Sequence, residues 1–148
     1  LRATIWTLKQ DAPTVAGLVG YLSDWAWRFA REHGVTLRLD LPHSVVGPRT
    51  IDFEIAECLQ TIVCRALSDA VESGLARSIV LRIEVERRSI LVEVRDDGSG
   101  ERPPDDGAWH ECVRNWGGSL EREVMAASGV TIRVRCPFRV KAWRLWGT

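Results

Sequence analysis

Several things this sequence lacks narrow its class before any motif is considered. No apolar run approaches the roughly 20 residues that cross a bilayer, and no signal-peptide pattern of basic, apolar and small residues is recognisable. Neither sign of charge is in excess: 20 basic residues meet 20 acidic ones, for a formal charge of zero. No long-range field therefore draws the chain to nucleic acid or to an anionic membrane, and partners must be recognised by shape. Cysteine is sparse and irregular. Cys58, Cys64, Cys112 and Cys136 show no CxxC spacing and lie inside apolar segments, which suits reduced, buried thiols better than a disulfide framework or a zinc site. They point to a cytosolic compartment. There is no internal repeat and no low-complexity tract.

What is present fits one core. A chain of 148 residues is about the length of one domain and buries roughly two-thirds of its unfolded surface. It opens on Leu1 rather than methionine, so we expect a piece of a longer protein, with any membrane or sensory part upstream. Leu1, Ile5 and Leu8 have helical spacing, and the segment stops ahead of Pro13. From Thr14 to His33 a second helix carries Val15, Leu18, Leu22, Trp25 and Phe29 on one stripe, with Gly34 as its stop. Val35 to Leu41 alternates as a strand. A long helix is expected over 52–73, with Ile55, Leu59, Ile62, Ala66, Leu67 and Ala70 facing inward and Gly74 closing it. Ser78 to Glu86 and Ser89 to Arg95 read as a hairpin turned by Arg87-Arg88. After a Pro-, Gly- and Asp-rich loop come a short helix, 108–116, and a last hairpin over 119–124 and 130–136. Helices on one face of a mixed, mostly antiparallel sheet satisfy this order, an α/β two-layer sandwich.

The most informative stretch is Ile90-Leu-Val-Glu-Val-Arg-Asp-Asp-Gly-Ser-Gly100. Ile90, Val92 and Val94 fall on one face of a period-two strand, which is buried up to the point where Asp96 leaves it. An acid at such a strand end faces either a pocket or a polar hairpin turn. Gly98 and Gly100 would let a ligand approach the main chain closely, but they equally suit a polar hairpin turn, and from these residues alone both readings stay open.

In order and spacing the chain resembles the ATP-binding domain of the GHKL superfamily, most closely the catalytic domain of sensor histidine kinases that pair with LuxR-type response regulators. The resemblance covers nearly the whole length and implies the Bergerat-type fold over 11–138. Residues 1–10 would then end the dimerisation and phosphoacceptor helices, and 139–148 would form a tail. In this family the long helix carries an N box, roughly Glu-Ala-Leu-Thr-Asn-Ala-Val-x-His, and here it reads Arg65-Ala-Leu-Ser-Asp-Ala-Val-Glu-Ser73. Asp69 stands where the family's asparagine holds Mg²⁺ against the ATP phosphates, Arg65 replaces an acid, and Ser73 replaces a basic or histidine position. Asp96-Asp-Gly-Ser-Gly100 matches the first glycine box, which implies that Asp96 accepts a hydrogen bond from the adenine amino group over Gly98 and Gly100. The second glycine box survives only as Asp105-Asp-Gly-Ala-Trp109, with Gly107 before the short helix, while Asn115-Trp-Gly-Gly-Ser119 matches the turn after it.

The resemblance thus implies ATP and Mg²⁺ as ligands, with Asp69, Ser73, Asp96, Gly98, Gly100 and Gly107 at the nucleotide and Asp69 as the metal ligand. It also implies a phosphoacceptor histidine outside the chain, since none of His33, His43 and His110 has that context. Partners would be the upstream helices, a response regulator and a second copy in a full-length homodimer, cytoplasmic here even where the whole protein is membrane-anchored. From the residues themselves Asp69 is equally an ordinary exposed helix acid, Gly107 a plain helix start, and Arg65 and Glu72 a solvated face. Trp109 lies where a lid would close. Two functions stay open: ATP-dependent phosphoryl transfer, or a non-catalytic module of this fold acting through protein contacts, which acids at Asp69, Asp105 and Asp106 favour. Anti-sigma-factor kinases share the fold and form a third option.

Overall fold

A computed structural model describes residues 13–43, 49–99, 107–125 and 129–139. The expected helix over 1–10 and all of the tail beyond Arg139 lie outside the described residues. The elements in chain order are α1 (Val15–His33), β1 (Thr36–Asp40), α2 (Phe53–Glu72), β2 (Ser78–Val85), β3 (Ser89–Asp96), α3 (Ala108–Asn115), β4 (Ser119–Met125) and β5 (Gly129–Pro137).

Local chemistry sets the limits of α1. The Thr14 hydroxyl accepts the Gly17 amide at 2.9 Å, satisfying one of the donors that a helix start leaves orphaned. Gly34, in the left-handed region at φ 65, ends the helix as expected. Between them Val15, Leu18, Leu22, Ala26 and Phe29 are buried, while Trp25 is half-buried and stacks on Phe29 with ring centroids 5.1 Å apart. In α2 all six residues expected to face inward are buried.

α2 stops just before Gly74, as expected, but the turn that follows is not made by that glycine. The left-handed residue is Leu75, at φ 54, not Gly74, whose amide instead reaches back to the Asp69 carbonyl at 2.9 Å. That bond continues the helical winding one residue past Ser73. The reversal therefore falls on the next residue, although Leu75 adopts this angle less readily than glycine would.

The strands form one sheet in the order β1-β2-β3-β5-β4. β1 and β2 are parallel, joined across α2, and the other neighbours are antiparallel. Ile79, Leu81 and Ile83 of β2, Ile90, Val92 and Val94 of β3, and Val130, Val134 and Cys136 of β5 join the helix residues in a single apolar core. This is the two-layer sandwich that the sequence implied. Each such Ile, Leu or Val contributes about 1.5–3 kcal/mol by leaving water.

The opposite face of the sheet carries a row of alternating charge. In register across all five strands stand Asp40, Arg82, Glu93, Arg133 and Glu121. Glu93, only 5 % exposed, accepts the Arg133 Nε at 2.9 Å, and Glu121 pairs with the same guanidinium at 3.3 Å. These bonds to Glu93 and Glu121 raise the Arg133 pKa. Opposite charges directly across a strand pair attract, so the row holds register on the face that has no helices.

The cysteines are all free, but only Cys58 and Cys136 are buried; Cys64 and Cys112 are half-buried, which corrects the expectation that all four are interior. Burial pushes the Cys136 thiol up to about 12 and the Cys64 thiol up to about 11. Cys58 is raised too, first by burial and then by its neighbour Cys112. Among the described residues no helix is long and apolar enough to cross a membrane.

Candidate functional site

Strand parity decides where Asp96 points. Ile90, Val92, Val94 and Asp96 share the face of β3 that packs against the helices, and Asp96 is flanked in register by Ile79 of β2 and Val130 of β5. Its exposure is only 5 %. A carboxylate taken from water at this cost must be hydrogen-bonded. One of its bonds comes from Gly98, whose amide donates to Oδ1 at 2.8 Å. Asp96 is thus turned inward at the end of the central strand rather than out to solvent.

The residues after Asp96 are tied to the end of α2. Asp97 Oδ1 accepts the amides of Arg77 at 2.8 Å and Ser78 at 3.0 Å. These bonds, Ser78 first, hold the Asp97 carboxyl below the usual range. The Asp97 amide returns a bond to the Ser78 carbonyl, and the Ser99 amide donates to the Gly74 carbonyl at 2.7 Å. Five residues past Asp69, the chain leaving α2 therefore lies against the chain leaving β3.

Asp69 is half-exposed on the last turns of α2, 3.7 Å from the Arg65 guanidinium in an i,i+4 pair. Ser73 is exposed one turn further on, so both fall on one face of α2. Gly107 caps α3 in the left-handed region at φ 82, with its carbonyl accepting the Glu111 amide at 3.0 Å. An added Cβ there would meet nothing within 4 Å, so the conformation, not crowding, is what calls for glycine. Trp109 is half-buried and packs against the core. Gly98 serves through its amide; the left-handed glycines among the described residues are Gly34, Gly107, Gly117 and Gly129. Gly100, Asp105 and Asp106 lie outside the described residues.

One participant escaped sequence reasoning. Gly129, at φ 100, opens β5 directly against the Asp96 backbone: a Cβ built on it would stand 1.8 Å from the Asp96 carbonyl oxygen. Only its place after the expected β-turn hinted at glycine, and nothing local pointed to Asp96, 33 positions earlier in sequence.

As for ligands, Asp69 supplies one carboxylate, and among the described residues no group of three metal-ligating side chains occurs. Mg²⁺ commonly takes one or two carboxylates and completes its shell with phosphate oxygens and water. A lone carboxylate such as that of Asp69 fits Mg²⁺ when phosphate oxygens and water complete the shell.

No family model matches the sequence, and no curated protein matches it. Solved structures do. The histidine kinase domain of a blue-light activated histidine kinase from Erythrobacter litoralis is 18 % identical at TM-score 0.64, over 87 % of this chain and 64 % of that one. Histidine kinase AdeS from Acinetobacter baumannii is 11 % identical at TM-score 0.59, over 93 % of this chain and 75 % of that one. The ATP binding domain of PrrB from Mycobacterium tuberculosis is 20 % identical at TM-score 0.58, over 85 % of this chain and 95 % of that one. The chain spans 64 % and 51 % of the two Erythrobacter structures that it matches. With a five-stranded mixed sheet covered by helices on one side and an inward carboxylate ending its central strand, the chain has the fold of the ATP-binding domain of histidine kinases.

Proposed function

We propose that this chain is the nucleotide-binding domain of a two-component sensor histidine kinase of the LuxR-paired kind, working in the cytoplasm. The observation that carries the reading is Asp96, buried on the helix side of β3 and held by the Gly98 amide. In this role Asp96 accepts the adenine amino group, a charge-assisted bond of the stronger class. Gly98 and Gly100 let the base lie close to the main chain, and Ser73 and Gly107 approach the phosphates. Asp69 would hold Mg²⁺, which supplies charge neutralisation to the triphosphate. The chain's own contribution to phosphoryl transfer is positioning; the accepting histidine belongs to helices outside it, and a response regulator takes the group onward.

Nucleotide binding is expected to be weak, for two reasons of charge. Asp69 adds a negative charge beside the triphosphate where the family pattern has a neutral asparagine. It also stands 3.7 Å from Arg65, which competes with a metal for the same carboxylate. The same pair favours a second reading, a module that keeps this fold and acts through protein contacts within a signalling dimer.

Calorimetric titration of the chain with ATP and MgCl₂ separates the two. Micromolar binding that Asp96→Ala abolishes supports the nucleotide site. Absence of heat at millimolar ATP, in both the parent and Asp69→Asn, removes it and leaves the protein-contact reading. Recovery of binding in Asp69→Asn locates the weakness at the metal position.

A further inference from the structure

At the far end of β3 from Asp96, about 23 Å along the strand, lies a cavity of about 510 Å³ with an unusual wall. Arg49, Arg87, Arg88 and Arg139 line it, over a floor that includes Pro137 and Phe138. Three pieces of chain meet there: the tip of the β2–β3 hairpin, the end of β5 and the start of α2. The Phe138 amide donates to the Arg88 carbonyl at 3.2 Å, and the Asp52 amide donates to the Phe138 carbonyl at 2.8 Å.

On the open face of the sheet Arg133 is paired with Glu93 and Glu121, and Arg135 with Glu86. No ion pair among the described residues involves any of the four that line the cavity. Two are instead held in place by neutral groups. Arg49 donates to the Glu86 carbonyl at 2.9 Å and stands 5.6 Å from the centre of the Phe138 ring. Arg139 donates to the Thr50 hydroxyl at 2.7 Å. The adjoining stretches of sequence, 44–48 and 140–148, contain no Asp or Glu. The nearby Glu86 carboxylate is already paired with Arg135, and four like charges lining one cavity repel one another. An anion relieves that repulsion.

We propose that this cavity is a binding site for a phosphate monoester borne on an apolar group. Guanidinium is the side chain best suited to phosphate, which it grips through paired N–H donors. Four of them match a dianion better than a singly charged carboxylate. The apolar floor adds affinity for the group that carries the phosphate, and the volume falls within the range of small-molecule sites. The phosphate could be that of a soluble ester or of a lipid headgroup, and both present the same chemistry to the arginines.

The test is a ¹H–¹⁵N titration of the whole chain at constant ionic strength with phenyl phosphate, inorganic phosphate and benzoate. Saturable shifts are expected at the amides of Arg49, Thr50, Arg87, Arg88 and Phe138, with phenyl phosphate binding about tenfold more tightly than the other two. The double variant Arg87→Ala/Arg88→Ala, at an exposed hairpin tip, should keep its melting temperature and lose about tenfold in affinity. Co-sedimentation with phosphatidic acid vesicles, lost in that variant, would assign the phosphate to lipid; its absence with phenyl phosphate binding intact would assign it to a soluble ester. The proposal is overturned by shifts that track ionic strength alone, by shifts unchanged in the double variant, or by an acidic peptide binding where phenyl phosphate does not. Shifts confined to Gly98 and Ser99 would also overturn it, since they report the Asp96 end of the sheet and bear only on the nucleotide reading.

Discussion

Gly129→Ala is the substitution that most directly tests how Asp96 is held. The added Cβ would stand 1.8 Å from the Asp96 carbonyl oxygen, 2.6 Å from its carbonyl carbon and 2.9 Å from the Asp97 Cα. All three are backbone atoms of a strand end laddered to β2 and β5, so no side chain can swing aside to make room. The residue must also abandon or strain φ 100, a conformation that costs a non-glycine residue about 1–3 kcal/mol. Overpacking of a fixed neighbour adds about 1–3 kcal/mol. We expect a loss of about 2–6 kcal/mol, a large share of the 5–15 kcal/mol that stabilises a typical domain. That corresponds to a drop of roughly 4–24 °C in melting temperature for a chain of this size. Urea denaturation gives the stability, and the Gly98 amide resonance, which reports its bond to Asp96, gives the local effect. Gly20→Ala is the control: a Cβ there meets nothing within 4 Å, and alanine in mid-helix should add about 0.5–1 kcal/mol. If Gly129→Ala changes stability by less than about 0.5 kcal/mol and leaves the Gly98 resonance in place, β5 does not brace Asp96.

Three further outcomes follow from the same structure. Asp97 has a depressed carboxyl pKa in the folded state, chiefly from the Ser78 amide, so its stabilisation is present above the unfolded value near 3.9 and is lost as pH falls through the folded one. Asp97→Asn should flatten the acid limb of stability against pH below about 4 and leave the neutral-pH limb with its slope unchanged. Leu75→Asn should raise stability by about 0.5–1 kcal/mol in chemical denaturation, because asparagine accepts the left-handed angle that an exposed leucine holds at a cost. Glu93→Gln keeps the shape of the buried side chain but removes the charge facing Arg133; a loss of about 1–2 kcal/mol is expected, and a cycle with Arg133→Gln should show that the two changes are not additive.

The helices and the sandwich could be read from the chain because their signals are local. Val15, Leu18 and Leu22, then Ile55, Leu59 and Ile62, repeat at helical spacing, and each set is buried. Thr14 and Gly34 mark the limits of α1 by chemistry that needs only three or four neighbours. The stop before Gly74 was legible, but which residue takes the left-handed turn depends on how many carbonyls the following amides can still reach. Here they reach one residue further and leave the left-handed turn to Leu75. The cysteines did mislead. An apolar neighbourhood in sequence does not fix which side of α2 or α3 a thiol takes, and Cys64 and Cys112 fall at the margins of those faces.

At the site the same division holds. The parity of Ile90, Val92 and Val94 carries Asp96 onto the helix side of β3, and the acid-glycine junction is what makes it a candidate for a ligand; both are properties of eleven consecutive residues. That Asp97 grips the start of β2, that Gly129 lies against the Asp96 carbonyl, and that four arginines from three separate segments enclose one cavity arises from contacts between residues 20 to 90 positions apart. The charge row from Asp40 to Glu121 is of the same kind, since no single strand contains more than one of its members. Periodicity and capping are written in a few successive side chains, so the sequence alone determined the elements and the inward turn of Asp96. Which distant residues meet depends on strand order and register, and only the folded sheet decided that.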